Sequence, residues 1–342
     1  MRKNIIYSVT ALLFLIACNK DELIEKTELS QVSAARINCF DGIQRDCNGE
    51  ILMFDDEAHF VEVYECLQQQ YEAWNDAFEL QYSSLNDNDF NTLADSIGFN
   101  EDSTLVAFEQ NYPGYVSQRS KLRSLEALWL DNTNLDPATN PYNNDYLDDL
   151  ILQTMFNQYQ EVRIGNRILH ISEIDGTVYT LQAGFCDLLS TLRSDPTSLI
   201  GNPAVTSHQD STGTSECKVN KFKQGEKNLP NQEYYFWKLS FNNYFLIGTS
   251  AKGCMKYYKQ KNNGKWKKHK RKISVDVYGT AWNWDCDTSD TYSKQQLTLK
   301  RRSQRDVNNF FDGKRLKIKN NFAKGSFYLD NRSTYDDYTI DW

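Results

Sequence analysis

The chain of 342 residues lacks a long apolar run and lacks the familiar catalytic motifs. Its longest apolar stretch, residues 5–16, is too short for a comfortable transmembrane helix, which needs about 20 residues. No H-E-x-x-H, C-x-x-C, G-x-S-x-G, P-loop or G-x-G-x-x-G pattern occurs, and the four histidines are scattered. We therefore predict no catalytic residue, no metal centre and no cofactor.

Apolar residues are still numerous enough for a packed interior. Hydrophobic residues make up 40% and aromatic residues 13% of the chain, which argues against global disorder. The length allows two domains of about 150 residues each.

The first eighteen residues have the pattern of a cleaved export signal. Arg2 and Lys3 precede the apolar stretch, and Leu15-Ile16-Ala17-Cys18 resembles a bacterial lipobox. The resemblance implies that residues 1–17 are removed and that Cys18 receives acyl chains, palmitate among them, which anchor the chain in a lipid bilayer. The alternative is an ordinary secretory signal with a chance cysteine.

The residues after Cys18 indicate a location. Lys20-Asp21-Glu22 resembles the surface-export signal of Bacteroidetes lipoproteins. This implies a lipid anchor in the outer membrane with the protein on the cell surface, and the periplasmic face is the alternative. Residues 18–49 are then the anchor and a polar tether.

The remaining chain predicts an α+β fold with two domains. Residues 50–193 read as a mostly helical domain, with an aromatic helix around residues 60–78 and further helices at 103–109, 122–129 and 146–159. A three-strand meander over residues 161–181 closes it. Residues 194–216 read as a linker, and residues 217–342 predict an antiparallel, sandwich-like β-domain.

Charge divides along the same line. Residues 1–216 contain 12 Lys and Arg against 34 Asp and Glu, whereas residues 217–342 contain 26 against 12. The most basic stretch, residues 252–272, has ten cations and no acid, and Asn263-Gly264 predicts a type I′ turn within it. We call this stretch the basic hairpin.

The basic hairpin is the candidate binding site for a polyanion such as an acidic glycan. Residues two apart share a face of a strand, so we expect Lys256 to lie beside Tyr258, and Trp266 beside Lys268 on the returning strand. Two alternatives remain open: lysines that block edge pairing, or a surface that docks on the acidic half. The candidate residues are Lys256, Lys259, Lys265, Trp266, Lys267, Lys268, Lys270, Arg271 and Lys272.

The cysteines suit an exported protein, where disulfides persist. With Cys18 acylated, seven remain, so at least one is unpaired. Cys39 with Cys47 and Cys254 with Cys286 are the pairs that we expect, although sequence does not determine connectivity.

A wider resemblance supports this layout. Asp136-Pro137, Tyr142, Glu161-Val162-Arg163-Ile164-Gly165 and Tyr257-Tyr258-Lys259 resemble uncharacterised Bacteroidetes lipoproteins with a helical segment, an E-V-x-I-G hairpin and a basic β-domain. The resemblance implies a cellular location but no activity. We therefore expect a non-catalytic binding or adhesion module. The alternatives are an exported hydrolase acting on glycan or peptide, and an accessory subunit with an outer-membrane protein partner.

The leader makes a first prediction. Because the thiol of Cys18 is the acceptor in a lipobox, Cys18→Ser should abolish acylation and release the protein from membranes. Metabolic labelling with palmitate and partition into detergent measure both effects. Retained label in the variant would contradict the assignment, and Cys254→Ser is the matched control.

Overall fold

The computed structural model describes residues 39–143, 145–174, 176–208 and 216–341. Cys18, the predicted leader and the predicted tether up to residue 38 lie outside these residues, whereas residues 39–49 of that predicted tether belong to the described part of the chain. The chain from residue 40 onward forms one compact unit. None of the described helices is long and apolar enough to cross a membrane.

The aromatic helix is confirmed as α1, Glu57–Gln81. It begins there because the Asp56 side chain accepts the backbone N–H of His59 at 2.9 Å, which satisfies a donor at the helix start. Phe60, Leu67 and Phe78 are buried, as their helical spacing predicts. The other helices are α2 Asp87–Ser96, α3 Ser103–Gln110, α4 Gln118–Leu130, α5 Leu150–Met155 and α6 Leu189–Ser194.

The sequence analysis did not predict α2. Asn86 caps this helix, because residues that favour turns also favour helix starts. One helix prediction was wrong. The helix predicted over residues 146–159 is only α5. Asp149 caps it by accepting the N–H groups of Ile151 and Leu152, and Phe156 is already extended.

The first sheet has six strands in the order β1 to β6. All neighbours are antiparallel except β2 and β3, and β3–β4–β5 is the predicted meander. β6 lies inside the segment predicted as a linker, where it pairs with β5. The strands are β1 Gln44–Asp46, β2 Ile51–Phe54, β3 Glu161–Ile164, β4 Arg167–Ile171, β5 Val178–Gln182 and β6 Val205–His208.

Two five-stranded antiparallel sheets follow, which confirms the α+β class. One joins β8, β9, β10, β11 and β15, and the other joins β12, β13, β14, β17 and β18. Trp237, Met255, Val275 and Phe327 from both sheets share one buried core. The strands are β7 Cys217–Lys218, β8 Lys221–Leu229, β9 Glu233–Asn243, β10 Gly248–Gln260, β11 Trp266–Lys268, β12 Arg271–Trp282, β13 Ser289–Gln295, β14 Lys300–Arg302, β15 Gln304–Asp312, β16 Ile318–Lys319, β17 Ala323–Leu329 and β18 Tyr335–Thr339.

The basic hairpin differs from its prediction in two ways. Gly264 has a φ of 82° but Asn263 does not have a positive φ, so the turn is not type I′. The return strand is also divided, because β11 pairs with β10 whereas β12 belongs to the other sheet. Buried His269 and Lys270 lie at this crossover, so Lys272 does not continue the face of Trp266 and Lys268.

Both expected disulfides were wrong. Cys47 pairs with Cys186, and Cys217 pairs with Cys286. Cys39 is also disulfide-bonded, whereas Cys254 is a free, buried thiol. Proximity in sequence misled the prediction, since the bonded pairs are 139 and 69 residues apart.

The disulfide map makes a second prediction. With Cys66 bonded as well, a chain carrying Cys18→Ser should release one thiol per molecule, that of Cys254, and only after denaturation. A thiol titration with and without denaturant measures this. Cys18→Ser with Cys254→Ser should release none, and two or more thiols would contradict the map.

Candidate functional site

One face of the β8–β11 and β15 sheet carries buried lysines beside aromatic side chains. Along β9 and β10, side chains alternate between the core and this second face. Lys238, Lys252 and Lys256 point away from the core, and each is no more than 3% exposed. We call this surface the basic face; the helices and the segment before α5 cover it.

The segment before α5 supplies partners for two of these lysines. The Lys238 ammonium lies 2.6 Å from an oxygen of Asp148, and Lys252 donates to the Asp148 backbone carbonyl. Although burial lowers the pKa of Lys252, the carboxylates of Asp306 and Asp149 hold it above its usual value. Lys252 therefore remains charged inside the protein.

Lys256 has a different environment. Its ammonium donates to the side-chain oxygen of Gln304 at 2.8 Å and lies 3.3 Å from the centre of the Tyr142 ring. Burial and the nearby Arg123 lower the pKa of Lys256 to about 8. Cation–π contact and an amide replace a carboxylate partner here, so this lysine is held as a structural group and not presented to solvent.

A second cluster joins α4 to the same face. Arg123 lies 2.7 Å from Asp102 and 3.0 Å from Glu126, while the Tyr258 hydroxyl donates to Glu126 at 2.7 Å. Burial alone would raise the pKa of Glu126, but Arg123, Lys256 and Lys268 lower it to about 2. The expectation that Lys256 and Tyr258 share a face is confirmed, and that face is covered.

A third cluster joins α1 and α2 to β14. Lys300 lies 2.7 Å from Asp76 and 2.9 Å from Glu72, and Arg302 lies 2.9 Å from Glu79. Arg301 lies 2.7 Å from Asp87. The sequence analysis did not single out these residues, although three consecutive cations at 300–302 signal them. The acidic half of the chain therefore docks on the basic half.

Several cations in the outer part of the basic hairpin also form ion pairs. Lys265 lies 2.6 Å from Asp131, and Lys267 lies 2.5 Å from Asp95. Four candidate residues thus have carboxylate partners, since Lys259 pairs with Glu233 and Arg271 with Glu233, Asp87 and Asp330.

The remaining candidates divide between buried and open positions. Trp266 is partly buried and donates its indole N–H to the carbonyl of Thr133 at 3.2 Å. Lys270 is 9% exposed, and its ammonium lies 5.7 Å from the centre of the Phe99 ring. Lys268 and Lys272 make no ion pair within 4 Å among the described residues, and Lys272 is exposed.

An open groove separates the basic hairpin from α2 and α4. Its volume is about 750 Å³, and Lys261, Lys268, Lys270, Trp266 and Phe99 line it. The backbone of Lys270 is held at its edge by the Asn91 amide, which both accepts from its N–H and donates to its carbonyl at 2.8 Å. The groove is the concave part of the predicted site that remains accessible, whereas the exposed Lys272 lies outside it.

Comparison with known proteins adds little. No protein-family model and no curated protein matches the chain. Among solved structures, it is similar to the crystal structure of a DUF4848 family protein from Bacteroides thetaiotaomicron VPI-5482, at 13% identity and a TM-score of 0.20 over 87% of this chain and 98% of that chain. A similarity of this size carries no statement about function.

The buried carboxylate of Glu126 makes a third prediction. Glu126→Gln should lower the free energy of unfolding at pH 7 by roughly 1–3 kcal/mol, because Arg123 loses a buried charged partner. The native pKa of about 2 lies below the ordinary value of 4.5. The contribution of the ionised Glu126 carboxylate to the free energy of unfolding is therefore complete above about pH 4.5 and is lost as the pH falls towards 2.

Urea unfolding of both proteins between pH 7 and pH 3 measures this difference, which should shrink with falling pH. Asp131→Asn is the control, since Asp131 forms an exposed pair with Lys265 that contributes less than about 1 kcal/mol. If the difference in the free energy of unfolding between Glu126→Gln and the parent chain stays constant with pH, the lowered pKa of Glu126 is contradicted.

Proposed function

We propose that the chain is a non-catalytic binding module of a lipid-anchored bacterial surface protein, and that its groove binds an acidic glycan. The observation that carries the proposal is the groove of about 750 Å³ lined by Lys261, Lys268 and Lys270. Lysine side chains along one concavity attract a chain of negative charges.

The ion pairs at the rim support exchange with a ligand. Lys265 and Asp131 are 46% and 65% exposed, and Lys267 and Asp95 are 30% and 56% exposed. Solvent-exposed pairs of this kind contribute only about 0–1 kcal/mol, so an incoming anion can replace the carboxylate at small cost. Lys265 and Lys267 thus add two cations to the groove when a polyanion arrives.

The aromatic lining favours a glycan over other polyanions. Phe99 and Trp266 line the groove beside the lysines. The indole of Trp266 has a fixed orientation, since it donates to Thr133 and contacts Tyr234 edge-on with centroids 6.1 Å apart. An acidic glycan offers carboxylates or sulfates to the lysines and apolar C–H faces to the rings.

The location is part of the proposal. An acylated Cys18 and the following Lys20-Asp21-Glu22 would place the module on the outer face of the outer membrane, with the periplasmic face as the alternative. The other two functions considered, an exported hydrolase and an accessory subunit of an outer-membrane assembly, have no observation among the described residues that favours them.

Heparin binding by the full chain tests the groove. We expect binding that weakens steeply with salt, because each contact between a lysine and an anionic group of the polyanion releases counterions. Lys261→Gln with Lys268→Gln should weaken binding by about tenfold or more, since two charges leave the groove. Titration at several salt concentrations gives both the affinity and the salt slope, and single-stranded DNA as a second probe tests the preference for a glycan.

The matched control is Lys272→Gln with Lys314→Gln, which removes two exposed lysines that do not line the groove. Binding without salt dependence, or equal loss in both double variants, would overturn the proposal. Tighter binding of DNA than of heparin would identify a nucleic acid, and not a glycan, as the ligand of the groove.

A further inference from the structure

A second pocket lies between α1, the start of α5 and the β14–β15 segment. Gln68 and Tyr71 of α1, Leu150 of α5, and Arg302 and Arg305 line it. It shares no residue with the groove described above. The volume of the pocket is about 30 Å³. One water molecule needs roughly 10–15 Å³ of such volume, so a group of a few heavy atoms fits.

Arg305 is the unusual group in this pocket. Its side chain is 7% exposed, yet its Nε and Nη1 atoms have no hydrogen-bond partner among the residues that the structure describes. The nearest carboxylate oxygen, from Glu72, lies 3.8 Å from Nη1, which is beyond hydrogen-bond distance. Buried guanidinium groups are normally hydrogen-bonded, so these free donors call for an acceptor.

The neighbouring cation shows the contrast. Arg302 also lines the pocket, and although its Nε atom has no hydrogen-bond partner among the described residues, its two terminal nitrogens lie 2.9 Å from Glu79 and next to Asp76. Burial lowers the pKa of Arg305 below its usual value, and the opposing effect of Glu72 does not restore it. For Arg302, burial is outweighed by Glu101, Tyr71 and Glu79, and its pKa is raised.

The acids that line the pocket already have partners. Glu72 lies 2.9 Å from Lys300, and Asp149 accepts from the Asn308 amide at 3.0 Å and from the start of α5. Asp306 accepts from the Gln304 amide at 2.9 Å through one carboxylate oxygen, and its other oxygen has no hydrogen-bond partner among the described residues. Glu72 and Asp149 are held by other donors, and the Arg305 Nε and Nη1 atoms bond to none of these carboxylates, which leaves the Arg305 guanidinium available to an outside anion.

We infer that this pocket binds a small carboxylate group through Arg305. A planar guanidinium presents its N–H donors in a fork that matches the two oxygens of a carboxylate, and the limited space favours this flat group over a bulky anion. The carboxylate belongs either to a small free acid or to an acidic sugar residue.

Acetate and glucuronate are the two probes. We expect acetate to raise the melting temperature of the full chain. The ionic strength is held constant by exchanging chloride for acetate. The expected dissociation constant is on the order of 1 mM. A matching effect of glucuronate identifies an acidic sugar, and an effect of acetate alone identifies a small acid. Arg305→Lys, which retains the charge but loses the fork, should weaken acetate binding about tenfold.

Arg167→Lys is the matched control, since Arg167 is exposed and lies outside the pocket. If acetate stabilises the parent chain and Arg305→Lys equally, or stabilises neither, the inference is overturned. Should Arg305→Lys fail to fold, crystals of the parent chain soaked in acetate decide the question. A carboxylate on Arg305 supports the inference, and water alone in the pocket overturns it.

Discussion

The docking of acidic helices on the basic face of one β-sheet is the interaction on which the rest of the structure depends. Lys238, Lys252 and Lys256 are removed from water, and a charge in that position is costly unless it has partners. Asp148, Asp149 and Gln304 supply them. Because each charge has a defined partner in the covering segments, one arrangement of helices on the sheet is favoured over others.

This docking explains how the basic hairpin is used. Its strands cannot present all their lysines to a ligand, since β10 has one face in the sandwich core and the other against the helices. The crossover at His269 then sends the chain to the second sheet, and burial beside Lys259 and Lys267 lowers the pKa of His269 to about 3. The side towards α2 and α4 remains open, and it forms the groove.

The candidate residues show where sequence reasoning reached its limit. Local patterns predicted α1, the β3–β5 meander and the alternation along β10, because each depends on neighbours in the chain. The same reasoning grouped Lys256 with Lys268 as ligand-binding residues, although one is buried beneath α4 and the other lines the groove. Arg305 passed unnoticed, since nothing in its neighbourhood along the chain indicates that its guanidinium is buried without a hydrogen-bond partner.

The sequence by itself determined the α+β class and the division of charge at residue 217, and it is also the source of the predicted export leader. Periodicity, turn residues and net charge are properties of short segments, so they can be read before folding. Only the tertiary structure decided that acidic residues of the first half form ion pairs with basic residues of the second half. It also decided that Cys217 bonds with Cys286, and that the groove and the Arg305 pocket exist. Each of these depends on which distant segments meet, and many pairings of acidic with basic segments satisfy the same sequence pattern.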